Sequence, residues 1–259
     1  MKNKLQVVKI GGNIINDDPL LDAFLSDFAH LKGSKILVHG GGKLATELSK
    51  QLGVVTQMVN GRRITSDKDI DIVTMVYAGL INKKITAKLQ GYHCNAIGLS
   101  GADANSILAT KRPAIPTDYG WVGDIESVNN ETIALFLENN ITPIFCAISH
   151  DNKGQLLNTN ADTIASEIAI AMSKTYLVDL IYCFEKQGVL QDVNDENSVI
   201  SSINTEGYSA LKKNKIIHEG MLPKMENCFH ALTNNVSKVK IGNINMINDT
   251  NSLHTTLTL

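Results

Sequence analysis
The sequence predicts an α/β protein, a three-layer αβα sandwich around a mostly parallel central sheet. Short β-branched runs alternate with longer stretches of helical periodicity, the pattern of strands joined by crossover helices. Two of the runs end in glycine clusters that lead into helical stretches, as at the carboxyl ends of parallel α/β sheets. A chain of 259 residues, 43% hydrophobic, can bury a core unaided, as one large domain or two lobes built as a unit. No repeat, low-complexity segment or long structureless linker interrupts it, so the lobe boundary is subtle and is expected near Lys174, separating residues 1–174 from 175–259.

Taken in order, strands are expected over Leu5 to Ile10, Lys35 to Val38, Ala96 to Leu99, Thr142 to Ala147, Tyr176 to Phe184 and Lys238 to Ile241. Helices are expected over Pro19 to Leu31, Lys43 to Leu52, Asp67 to Ala78, Asn82 to Tyr92, Glu131 to Glu138, Asp162 to Met172 and Met221 to Leu232. That order builds a βα-repeating sandwich. Asp151 to Asn160 reads as a loop or hairpin, because Asp-Asn-Lys-Gly supplies turn chemistry between two apolar segments. Gln191 to Ser198, rich in Asp and Asn, reads the same way.

Composition excludes several classes of partner. The 24 Lys+Arg and 26 Asp+Glu leave a net charge of −2, so no global field attracts nucleic acid or an anionic membrane. The N-terminal apolar stretch is too short and polar for a signal peptide or membrane span, and a cytoplasmic location is expected. Cys94, Cys146, Cys183 and Cys228 are scattered, without a C-x-x-C pair or zinc-ligand spacing, and read as buried reduced thiols.

Five segments carry chemistry. Lys9-Ile10-Gly11-Gly12 ends the first strand, where two glycines let backbone N–H groups approach an anion and a lysine reaches the same anion; an incidental turn with a solvated lysine is the alternative. His39-Gly40-Gly41-Gly42 also lies between strand and helix, and three consecutive glycines cost chain entropy that an incidental run does not justify. The loose dinucleotide fingerprint Gly40-x-Gly42-x-x-Ala45 competes, but it needs an acidic residue where the chain reads Asn60-Gly61-Arg62-Arg63. No P-loop pattern occurs.

The third segment, Asn60 to Thr65, offers an arginine suited to bidentate capture of a carboxylate, with Arg62 and Arg63 both available. In the fourth, Asn158-Thr159-Asn160-Ala161-Asp162, either Asn160 or Asp162 can cap the following helix. A cap needs one residue and the segment offers three polar side chains, an excess that points to ligand binding or to holding cationic partners. The fifth, Gly220-Met221-Leu222-Pro223-Lys224, puts a cation at the positive end of a helix, a cost that an anionic ligand offsets. A solvated lysine on an exposed turn is the alternative.

Together and in this order, these segments and Gly120-Trp121-Val122-Gly123 resemble the N-acetylglutamate kinases of the amino-acid kinase family, from about Val8 to the C-terminus. The resemblance implies a two-lobed amino-acid kinase fold with the acylglutamate in the N-terminal lobe and MgATP on the C-terminal lobe. It implies phosphorylation of the γ-carboxylate of N-acetyl-L-glutamate, in arginine biosynthesis. Lys9 and Lys224 would contact the transferring phosphoryl group and Asp162 would hold both. Gly11, Gly12, Gly41 and Gly42 would donate N–H bonds, the first two to phosphate, while Arg63 and Asn158 would hold the substrate, with Asn160 beside them. The preference for Arg63 over Arg62 comes from the resemblance.

The chemistry agrees with the residue types. A glutamate carboxylate titrates near ~4.3, so it is ionised at neutral pH and needs no catalytic base, and His39 needs no role as one. The demand is for fixed cations and N–H donors around phosphoryl oxygens.

The chain departs from the family at Phe184-Glu185-Lys186-Gln187, where a Ser/Thr-Asp pair is usual, and at His254-Thr255, where Gly-Thr is usual. Nucleotide contacts there are left unassigned. The chain begins almost at its first strand, and by analogy with members lacking an extra N-terminal helix a homodimer insensitive to arginine is expected. Trp121 is a suspect for the acyl pocket, and a succinyl in place of an acetyl group stays open, as does a non-catalytic amino-acid or nucleotide sensor on the same fold.

Overall fold
The computed structural model describes residues 2–59, 61–214, 216–217, 221–249 and 251–259. Asn60 and Gly220, each part of a motif above, lie outside the described residues. In chain order the strands are β1 (Lys4–Ile10), β2 (Ser34–His39), β3 (Gln57–Val59), β4 (Arg62–Ile64), β5 (Ala96–Leu99), β6 (Ile107–Lys111), β7 (Gly123–Val128), β8 (Thr142–Cys146), β9 (Ile148–His150), β10 (Leu156–Asn158), β11 (Leu177–Cys183), β12 (Ser202–Ile203), β13 (Lys238–Gly242) and β14 (Thr255–Leu257). The α-helices are α1 (Gly12–Ile15), α2 (Asp18–His30), α3 (Gly42–Gln51), α4 (Asp67–Thr74), α5 (Asn82–Gly91), α6 (Asn130–Glu138), α7 (Ala161–Met172), α8 (Thr205–Lys213) and α9 (Leu222–Thr233).

The main sheet has eight strands in the order β12-β14-β13-β11-β1-β2-β8-β5. It is parallel except that β14 runs antiparallel to β13 and carries β12 with it. Ile36, Leu37 and Val38 are consecutive in β2 and all fully buried, so both faces of the sheet are covered. Helix α7 packs on β1, β2 and β11, with α9 against it. The sheet runs unbroken across the expected lobe boundary, since β11 pairs with β1 along its whole length.

Helix starts follow local chemistry. Asp17 accepts from the Leu20 N–H and Pro19 occupies the first turn of α2, while Ser66 and Asp69 form a reciprocal capping box on α4. At α7 the choice between two caps resolves to Asn160, whose side chain accepts from the N–H groups of Asp162 and Thr163, leaving the Asp162 carboxylate for other partners.

The expected strands and helices appear, with ends shifted by one or two residues. Asp67 to Ala78 and Asn82 to Tyr92 are one rod instead of two helices: α4 passes through a π-helical stretch, Met75–Ile81, into α5. The hairpin at Asp151 to Asn160 is β9–β10, and it belongs to a second, four-stranded sheet, β10-β9-β6-β7, that was not expected. Also unforeseen are the β3–β4 hairpin, α8, and the edge strands β12 and β14. All four cysteines are buried free thiols. Among the described residues no helix is long and apolar enough to cross a membrane.

Candidate active site
The carboxyl ends of β1, β2 and β11 lie side by side, with Lys9 in register with Val38 and Tyr182, and Ile10 with His39 and Cys183. The strand-to-helix turns therefore converge, as ligand sites do in such sheets. Lys9, near the end of β1, places its Nζ 2.6 Å from Asp162 Oδ1. Lys224, in the first turn of α9, donates to Asp162 Oδ2 at 2.8 Å, and its ammonium sits 5.2 Å from the Tyr182 ring centre. These three side chains are 13 to 18% exposed. Tyr182 Oη donates to the Asp162 carbonyl at 3.0 Å, bracing the start of α7.

The electrostatics follow from this packing. Burial pulls the Lys9 ammonium below the usual lysine value, and the Asp162 charge offsets only part of that. Burial pushes the Asp162 carboxyl up, but Lys9 and then Lys224 outweigh it and hold the group far below the ordinary carboxylate range. The centre is thus one anion between two cations, with net positive charge.

A cavity of about 440 Å³ opens beside this cluster, lined by Gly40, Gly41, Gly42, Arg63, Asn158 and Asn160, among others. Within the glycine turn, Gly41 has no room for a side chain: a Cβ there would fall on Ile81 Cδ1 and 2.8 Å from Tyr77 Cδ1. Arg63 is 8% exposed. Its Nη1 donates to Thr56 Oγ1, its Nη2 donates to the Gly42 carbonyl and Thr46 Oγ1, and Asp69 lies 3.6 Å away. Its guanidinium therefore ties β4 to the glycine turn. Arg62, exposed, lines the same cavity. Asn158 donates to Thr65 Oγ1 at 3.0 Å, and Asn160, although it caps α7, keeps its NH₂.

Gly11 and Gly12 sit at the turn after β1, and the two differ. The Gly11 N–H, expected to meet an anion, donates to the Cys183 carbonyl at 3.0 Å. Gly12 occupies the first position of α1, where an N–H has no intrahelical acceptor.

Trp121 is not in the cavity wall. Its indole donates to Asp67 Oδ1 at 2.6 Å and Lys111 stacks on it, while its neighbour Val122 faces the cavity. The Gly120 to Gly123 segment instead ties the β3–β4 hairpin down, Trp121 N–H donating to the Thr65 carbonyl at 2.7 Å.

The model of the amino acid kinase family matches residues 4–243 of the chain. The chain belongs to the amino acid kinase family. Within this amino acid kinase group it is 54% identical over 239 residues to a Cytophaga hutchinsonii protein named acetylglutamate kinase, covering 92% of this chain and 90% of that one. A Phocaeicola vulgatus protein of the same name is 49% identical over 249 residues, covering 96% and 97%. In three dimensions the chain is similar to the N-acetylglutamate synthase of Neisseria gonorrhoeae, with a TM-score of 0.81, 17% identity, and coverage of 98% of this chain and 59% of that one. That last likeness shows the fold alone.

The amino acid kinase reading left several residues of the site unnamed. Tyr77, Thr46 and Arg112 also line the cavity, and the Lys224 ammonium lies over the Tyr182 ring. Tyr77 sits in the π-helical stretch and Arg112 just after β6, and only the tertiary fold brings either beside the glycine turn.

Proposed function
We propose that this protein transfers the γ-phosphoryl group of ATP to the γ-carboxylate of N-acetyl-L-glutamate, giving N-acetylglutamyl 5-phosphate and ADP, the second step of arginine biosynthesis. Relatives about half identical over nearly the whole chain support the acceptor. The observation that carries the chemistry is the single carboxylate of Asp162 holding two ammonium groups beside glycine turns.

The acceptor carboxylate is already ionised at neutral pH, so the reaction needs no proton removed. What it needs is two anions brought together and charge on the phosphoryl oxygens neutralised. Lys9 and Lys224 supply that charge from fixed positions, and Asp162 aims both without taking a proton itself. Fixed cations require no reorganisation as charge develops, which is the source of their effect. Gly12 donates to phosphate, while Gly11, its N–H engaged, admits phosphate closely for want of a side chain. Gly41, Gly42, Arg63, Asn158 and Asn160 hold the acceptor.

Residues 1–174 form the acceptor lobe and 175–259 the nucleotide lobe. A cavity of about 330 Å³ past the end of β13, lined by Gln187, Asn243, Asn245 and Asn248, supports that placement of ATP. Magnesium rides on the nucleotide phosphates, which requires no cage of protein carboxylates. The free thiols support a reducing cytoplasm. A homodimer completes this reading, by analogy with the family.

One observation favours a second reading, with a longer, carboxylate-bearing acyl group such as succinyl. Arg112, held by Asp124, and Arg62 line the same cavity as Arg63. A coupled assay of ADP release offering acetylglutamate, succinylglutamate, aspartate and carbamate side by side tests both. Preference for acetylglutamate is expected, preference for succinylglutamate establishes the second reading, and preference for aspartate or carbamate overturns both.

A further inference from the structure
His39 and Asn82 are fully buried, touch no expected reacting atom, and still form a continuous polar chain beneath the glycine turn. Asn82 Nδ2 donates to the Ile144 carbonyl at 2.9 Å and to His39 Nε2 at 3.1 Å. The amide orientation is fixed from both ends, since Ile144 offers only an acceptor and the Lys83 ammonium, 3.3 Å from Asn82 Oδ1, only a donor. His39 Nε2 must then accept, so the proton resides on Nδ1, which donates to the Gly40 carbonyl at 2.8 Å. Burial depresses the imidazole pKa to about 4, which agrees with a neutral ring. The seat of Asn82 is shaped for it, because a side chain on Gly98 would strike its Oδ1.

The Gly40 carbonyl and the Gly41 N–H belong to one planar trans peptide and point in opposite directions. Fixing the carbonyl on His39 therefore fixes the Gly41 N–H, turned away from the ring. Tyr77 and Ile81, from the π-helical stretch that leads into Asn82, close over the same glycine. π-turns often mark functional positions, and here one brings Tyr77, Ile81 and Asn82 to a single peptide.

We propose that His39, held as the neutral Nδ1–H tautomer by Asn82, is a positioning residue that aims the Gly41 N–H at the acceptor substrate. The proposal rests on the acylglutamate kinase reading. It assigns the histidine before the three glycines neither to proton transfer nor to packing alone.

Two variants and one spectrum test it. An asparagine side chain can put an N–H where Nδ1–H was, whereas a glutamine reaches the Nε2 position and leaves the Gly40 carbonyl unpartnered. His39→Gln is expected to raise KM for acetylglutamate roughly tenfold, the size of one lost hydrogen bond, with KM for ATP unchanged. His39→Asn is expected to restore most of that loss. Equal impairment of both folded variants, or an unchanged acceptor KM in His39→Gln, overturns the proposal. Long-range ¹H–¹⁵N spectra of the wild-type chain, which need no variant to fold and no turnover, are expected to show His39 as Nδ1–H without titration from pH 6 to 9. An Nε2–H tautomer or an imidazolium overturns it. Loss of wild-type kinase activity toward acylglutamate would contradict the functional reading and leave the tautomer result standing.

Discussion

Lys9 and Lys224, from opposite ends of the chain, share one carboxylate: the first meets Asp162 Oδ1 at 2.6 Å and the second donates to Oδ2 at 2.8 Å. Two ammonium groups so close repel each other, and a protein tolerates the arrangement when an anion compensates. Asp162 supplies one negative charge, and in the proposed reaction the phosphoryl group in transfer would supply the rest.

Removing either cation leaves developing charge without its partner. Lys9→Ala and Lys224→Ala are each expected to lower kcat by roughly 10²- to 10³-fold, with the thermal midpoint close to wild type. Steady-state ADP release checks this, and a kcat within threefold of wild type contradicts it.

Asp162→Asn keeps the shape and removes the anion that aims both lysines. A large fall in kcat is expected, with the fold retained through the Asn160 cap. The substitution also changes the response to acid. Because the folded carboxyl titrates far below the unfolded value of ~3.9, the unfolded chain takes up the proton first as pH falls. The stabilisation from Asp162 is complete above that value and is lost progressively below it. Urea midpoints measured from pH 6 to 3 are expected to fall more steeply for wild type than for Asp162→Asn.

On the alkaline side the relevant group is Lys9. Its folded pKa lies below 10.5, chiefly from burial, so the charged form is lost sooner than for a free lysine. A decline of kcat/KM is expected at a pH below 10.5. Lys9→Arg, slower because a planar fork replaces a point charge, keeps its proton and moves that decline upward. Identical alkaline limbs in the two enzymes would rule out Lys9 as its source.

Gly41→Ala places a methyl group against Ile81 Cδ1 and Tyr77. Overpacking of this kind costs about 1–3 kcal/mol, a melting-point fall of roughly 2–4 °C for each kcal/mol. A raised acceptor KM is expected with it. Ile81→Val in the same chain removes Cδ1 and recovers part of both, as calorimetry and kinetics on the pair of variants can show.

Much of this was legible because glycine clusters and charged residues at strand ends have few other uses. Lys9, Asp162 and Lys224 lay in segments whose residue types pointed to an anion, the family resemblance joined them into one cluster, and the structure brings them together. What stayed hidden was hidden for physical reasons. Strands of three residues such as β3 and β4 carry too little periodicity to register, and α8 buries none of its residues. The π-helical stretch has an ordinary helical sequence, so Tyr77 gave no sign of its place over Gly41. The engagement of Gly11 N–H by Cys183 depends on β11 lying beside β1, a relationship no local pattern contains.

The most direct test of the central claim is a crystal structure of the wild-type protein with MgADP, aluminium fluoride and acetylglutamate. The account predicts the planar fluoride between acceptor carboxylate and ADP, with both Lys9 Nζ and Lys224 Nζ within hydrogen-bond reach of it and of Asp162. A fluoride bound with either ammonium turned away into solvent would contradict it.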